Sequence, residues 1–61
     1  MTTPLMRIDE VARLVAVHPR TVQRWVRDGE FPRPIKLPGG QVRWQREAVD
    51  RWLAQRAREV A

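Results

Sequence analysis

Apolar residues recur at helical spacing through IDEVARLV, where Ile8, Val11, Ala12, Leu14 and Val15 share a face. Asp9 and Glu10 fall in the first turn, the end of the helix dipole that favours anions. The spacing predicts a short helix over residues 8–15. Ala16 and Val17 then break the period, and Pro19 opens a second helix, because its ring presets a helical φ and its missing N–H costs nothing in a first turn. This second helix is predicted over residues 19–28, with Gly29 placed to end it in a left-handed conformation. Val22, Trp25 and Val26 share one of its faces, while Arg20, Gln23, Arg24 and Arg27 spread over the other. Two helices separated by about three residues have the proportions of a helix-turn-helix.

Pro32, Pro34 and Pro38 exclude a long helix in the stretch that follows. On either side of Pro38-Gly39-Gly40-Gln41, the triplets Ile35-Lys36-Leu37 and Val42-Arg43-Trp44 alternate apolar and polar, the pattern of a two-stranded β-hairpin. Ile35, Leu37, Val42 and Trp44 are expected to face the core, with Lys36 and Arg43 pointing away. A hairpin of this size is not stable alone, so it must lean on the helices. The final segment, REAVDRWLAQRAREV, sets Val49, Trp52 and Leu53 on one stripe that Ala57 and Val60 continue, and predicts a third helix from Arg46 or Glu47. Each of Trp25, Trp44 and Trp52 lies in register with the apolar face of its element and is expected in the core. Phe31 is expected to fill the gap between the second helix and the hairpin. Residues 1–5 and 59–61 are expected to fray.

Composition narrows the possibilities. A chain of 61 residues, 43% apolar and 31% charged, is one small folded domain near the lower limit for a core without metals or disulfides. It has no cysteine, which excludes disulfides and zinc–cysteine sites and points to a reducing, cytoplasmic setting, with nucleoid association following from the charge discussed below. Its apolar runs are too short to span a bilayer and no basic-then-apolar leader is visible. Ser, Tyr and Asn are also missing, and the one histidine is His18. Covalent catalysis would have to rest on a Thr, Lys, carboxylate or that His with no base and orienting group arranged around it, so the sequence does not read as an enzyme. The carboxylate pairs Asp9/Glu10 and Glu47/Asp50 lack a converging third group and read as first-turn residues, so neither metal nor other cofactor is expected.

The charge is segregated. Seven of the twelve basic residues lie in residues 18–46 with only Asp28 and Glu30 as acids, so that stretch carries the whole net charge of +5. A polyanionic partner is implied, since Lys and Arg that neutralise phosphates gain affinity from released counterions. Arginine forks to O6 and N7 of guanine and glutamine to N6 and N7 of adenine, so Arg20, Gln23 and Arg24 are base-reading groups on the outer face of the second helix. Arg27, a turn further on, suits the phosphate backbone. A glycine-tipped hairpin can approach the minor groove closely, with Lys36 and Arg43 as its cations.

Two stretches, IDEVARLVAVHPRTVQRWVRDGEFPRPIKL and VRWQREAVDRWL, give the chain a family likeness over residues 6–53. It resembles the AlpA-like and excisionase-like small DNA-binding proteins of phages and integrative elements, and more distantly the DNA-binding domain of MerR-type regulators. The resemblance implies a mainly α winged helix-turn-helix, three helices with a two-stranded wing, that binds specific double-stranded DNA. It implies major-groove contact by Arg20, Thr21, Gln23 and Arg24, and phosphate or minor-groove contact by the wing at Gly39, Gly40 and Gln41 with Lys36 and Arg43. Family members act as transcription regulators, as recombination directionality factors that bend DNA beside an integrase, or as both. An integrase and further copies on adjacent sites are therefore the implied protein partners, with no membrane and no small-molecule substrate. Lacking Ser and Tyr, the chain has neither recombinase nucleophile, so in recombination it would be an accessory. A rival reading is a protein-interaction module that turns its basic face to an acidic protein. Where His18 stands the family has Ser or Thr capping the recognition helix, so a weaker cap is expected here.

Overall fold

The computed structural model describes residues 5–59; the fraying expected of residues 1–4, 60 and 61, and the place of Val60 on the third helix, lie outside them. The elements run β1 (Leu5–Met6), α1 (Ile8–Leu14), α2 (Pro19–Arg27), β2 (Ile35–Lys36), a tight turn over Pro38–Gly40, β3 (Val42–Gln45) and α3 (Arg46–Glu59). Three helices and a small antiparallel sheet make a winged helix-turn-helix.

α1 starts where the Arg7 backbone N–H is taken by Glu10 Oε1 at 2.8 Å. Its end and that of α2 use one device. After α1, Val17 N donates to Ala12 O at 2.9 Å and Ala16 N to Arg13 O at 3.2 Å; after α2, Glu30 N donates to Trp25 O at 2.8 Å and Gly29 N to Val26 O at 3.1 Å. These paired bonds satisfy the last helical carbonyls and require a left-handed residue just past the cap. Gly29 supplies it at φ 76°, whereas the equivalent residue between the two helices is Ala16 at φ 61°, a conformation strained for a residue with a Cβ.

The sheet departs from the expected hairpin in two ways. β1 pairs antiparallel with β3, Leu5 opposite Gln45 and Met6 opposite Trp44, so the sheet has three strands in the order β1-β3-β2 and Leu5 is paired where fraying was expected. Two residues are too short to show a period, which is why β1 is invisible in the pattern. The second departure is a register shift. Leu37 N donates to Gln41 O at 2.7 Å, so the loop is the three residues Pro38, Gly39 and Gly40, the glycines at φ 84° and 80°. A four-residue loop would have set Leu37 against Val42; the observed register sets Lys36 against Val42 and Ile35 against Arg43. A slip of one residue turns every side chain of a strand to the other face. Ile35 accordingly joins Arg43 on the outer face, 38% exposed, rather than entering the core, and Lys36 shares the face of Val42 and Trp44.

The core is Val11, Ala12, Val22, Phe31, Trp44 and Val49. Phe31 lies between three elements, its ring 6.0 Å from that of Trp25 on α2, 6.4 Å from Trp44 on β3 and 4.7 Å from Trp52 on α3. It therefore fills the expected gap and reaches α3 as well. Of the three tryptophans only Trp44 is buried; Trp25 and Trp52 are half-buried and lie against each other at 5.5 Å. So small a chain has too little surface to cover all three. The indole N–H groups are satisfied on the linker after α2, Trp52 Nε1 by Glu30 O and Trp44 Nε1 by Pro32 O, each at 2.9 Å. On α3 the buried stripe stops at Leu53: Ala57, expected to continue it, is exposed.

The contrast between the two helix ends is testable. Ala16→Gly relieves a left-handed Cβ and is expected to raise stability by about 0.5–1 kcal/mol, while Gly29→Ala lowers it by about 1 kcal/mol or more. Urea unfolding of both variants measures this, and a loss of stability in Ala16→Gly contradicts it.

Candidate nucleic-acid interface

The recognition face is built on α2. Pro19 occupies its first turn, and the helix is capped by His18, whose Nδ1 accepts from the Arg20 backbone N–H at 3.0 Å. The cap is made by an imidazole nitrogen in the place of a hydroxyl. Val22 is buried and Trp25 and Val26 half-buried on the inner face, which leaves Arg20, Gln23, Arg24 and Arg27 exposed on the outer one. With half-buried Thr21, these four line a single shallow hollow of about 350 Å³. All five expected helix residues are thus brought together. Arg27 approaches Asp28 at 3.8 Å, but both side chains are at least half exposed, and such a pair holds the guanidinium only weakly. Among the described residues, Arg20, Arg24, Arg33 and Lys36 form no ion pair.

The wing presents Lys36, Gly39, Gly40 and Gln41 to solvent. A Cβ added at Gly39 or Gly40 would meet nothing within 4 Å, so the tip is open to close approach. Arg43 is different. It is half-buried, with Nη1 donating to Val42 O at 2.8 Å and Nη2 to Gln41 Oε1 at 3.0 Å, so its head lies back along the strand.

Lys36 and Arg43, expected side by side, are on opposite faces of the wing because of the register shift. Lys36 instead turns toward α2, where it lines a hollow of about 350 Å³ with Val26, Arg33 and Pro34. Val26 and Pro34 also line an adjoining apolar hollow of about 240 Å³ with Ile8, Gln23, Val42 and Trp44. The gap between recognition helix and wing therefore has an apolar floor with Arg33 and Lys36 at its rim. Arg33 was not singled out in the sequence. It stands between two prolines in an irregular segment where no period assigns faces, and its only signal was membership of the basic stretch.

Two arginines of α3 are paired within the helix. Arg46 pairs with Asp50 at 3.0 Å and Arg56 with Glu59 at 3.3 Å along α3, and Arg56 also lies 5.3 Å above the Trp52 ring. Among the described residues no three His, Cys, Asp or Glu side chains converge as metal ligands, and no helix is long and apolar enough to cross a membrane.

An exposed arginine-bearing helix after a tight turn, with a glycine-tipped wing beside it, is the architecture of a DNA-binding helix-turn-helix protein. The chain belongs to the helix-turn-helix domain family, of the excisionase and AlpA-like kind, which it matches over residues 5–57; this is a DNA-binding and not a catalytic family. It is also similar to the uncharacterized protein ORF88 of Enterobacteria phage P4, with 35% identity over 51 residues that cover 84% of this chain. The chain spans 58% of the length of that relative.

The His18 cap makes a direct prediction. His18→Ala should cost about 0.5–2 kcal/mol of stability and His18→Ser should recover it, since a hydroxyl can accept the same N–H. Thermal unfolding at constant pH measures both, and unchanged stability in His18→Ala contradicts a capping role.

Proposed function

We propose that the protein is a sequence-specific duplex-binding accessory of a phage or integrative element, acting as a small transcriptional regulator, an excisionase, or both from one set of sites. The observation that carries this reading is the convergence of Arg20, Thr21, Gln23, Arg24 and Arg27 on one hollow of the outer face of α2. In it, α2 enters the major groove, Arg20 and Arg24 fork to guanine edges, Gln23 pairs with adenine, and Thr21 contacts the flank of the groove. Arg27 holds the adjacent backbone. The wing, with Gly39, Gly40 and Gln41 at its tip and Arg43 behind them, lies along the minor groove. Between helix and wing the backbone strand crosses the gap whose rim carries Arg33 and Lys36, and these two grip phosphate.

The reading extends to partners. A single module of this size makes a limited footprint, so several copies on adjacent sites supply the affinity and shape the DNA. In recombination the protein works beside an integrase that provides the nucleophile. The phage origin of the similar protein supports a mobile-element setting, and residues 1–61 act as one DNA-binding domain, associated with the nucleoid.

Fluorescence anisotropy across a salt series, on a site selected from randomised duplexes and on random duplex, tests the assignment. Arg20→Ala or Arg24→Ala should cost about 1–3 kcal/mol on the selected site and broaden sequence preference. Arg33→Ala and Lys36→Ala should weaken binding to both duplexes alike, each making the slope of log affinity against log salt shallower by about one. Absence of duplex binding at low salt overturns the reading in favour of an acidic protein partner.

A further inference from the structure

We infer that Arg43 is a positioning residue, which holds the Gln41 carboxamide with its oxygen turned back to the strand and its amino group free, and so gives the wing a preference for A·T pairs in the minor groove. The inference rests on the duplex-binding reading and deepens it.

A guanidinium has five N–H donors and no acceptor. The Gln41 atom that meets Arg43 Nη2 at 3.0 Å must therefore be the carbonyl oxygen, and turning the amide over would set N–H against N–H. The guanidinium is itself held, through Nη1, by Val42 O at 2.8 Å. The Gln41 backbone from which this side chain projects is held as well, since its carbonyl oxygen accepts from Leu37 N at 2.7 Å. With its side-chain oxygen engaged by Arg43 through one lone pair, the group its exposed side chain has wholly free for a ligand is Nε2 with its two protons, beside the open glycines of the tip.

The minor groove answers such a group unequally. An A·T pair in either orientation presents only acceptors, adenine N3 and thymine O2, whereas a G·C pair adds the guanine N2 amino donor. A locked Nε2 pairs with the first and meets the second donor to donor. An unlocked glutamine would rotate and accept from the guanine amino group, and discrimination would be lost. A role for Arg43 as a plain phosphate cation fits less well, because the residue is half-buried and its guanidinium is directed back at residues 41 and 42.

Two measurements test this. In the free protein, NMR should find the Gln41 side-chain amide in one orientation, and Arg43→Met should let it average; an amide unaffected by Arg43→Met overturns the lock whether or not DNA is bound. On the selected site, with each pair exchanged in turn between A·T and G·C, the wild type should lose roughly tenfold in affinity at the wing position. Arg43→Met, Gln41→Ala and the double variant should each lose that discrimination, with the double no worse than Gln41→Ala, and Arg43→Met should leave the salt slope unchanged. If Arg43→Met keeps the preference and makes the slope shallower by about one, Arg43 contacts phosphate and the inference fails while duplex binding stands. A wild type that binds no duplex overturns both the function and the A·T preference, and the NMR result then reports the lock alone.

Discussion

Phe31 is the contact on which the interface depends. Its ring meets the recognition helix through Trp25, the wing through Trp44 and the third helix through Trp52, and ring pairs at these separations add to the apolar burial already gained. The indole N–H groups of Trp44 and Trp52 pin the carbonyls of Pro32 and Glu30, the neighbours of Phe31 on either side. Backbone groups of an irregular linker are thus satisfied by the same side chains that pack against it. The angle between α2 and the wing is consequently held by this aromatic cluster together with α1, which packs against both α2 and β3. That angle sets the spacing between the arginine-bearing face of α2 and the wing.

The linker is delivered to the cluster by the end of α2. Gly29 turns the chain through a left-handed residue, and the Glu30 N–H returns to Trp25, so Phe31 emerges beside the tryptophan it packs on. At the other end of the helix, the His18 cap and Pro19 fix the start. A nine-residue helix is marginal by itself, and these terminal devices together with one buried face keep its outer residues in register for DNA. Ala16 is where the chain departs from the easiest solution, accepting left-handed strain in the turn between α1 and α2.

The helices were legible in the sequence because long periodic patterns and terminal residues agree. The faces of α2, the start of α3 near Arg46, and the terminating Gly29 all follow from spacing and proline or glycine position. The wing was legible in outline but not in register, since alternation over three residues fits a three-residue or a four-residue loop equally, and only the Leu37 to Gln41 hydrogen bond decides. That one-residue difference moved Ile35 outward and separated Lys36 from Arg43. β1 was invisible for its shortness, and the exposed end of α3 because an apolar period does not reveal whether anything lies opposite. Among interface residues, the α2 set could be read from the helical wheel. Arg33 and the inward turn of Lys36 could not, for both depend on how the proline-rich linker folds over Val26.

The basic stretch is therefore two devices set at a fixed angle. One is an arginine and glutamine face on α2, proposed to read bases; the other is a wing whose cations and carboxamide are placed by its register. The most direct test of this account is NMR titration of the protein with its selected duplex. Binding is predicted to shift resonances on the outer face of α2 and in residues 33–43, leaving residues 47–59 of α3 unchanged. Shifts confined to α3 and the groove beside Trp52, with α2 unmoved, would contradict it.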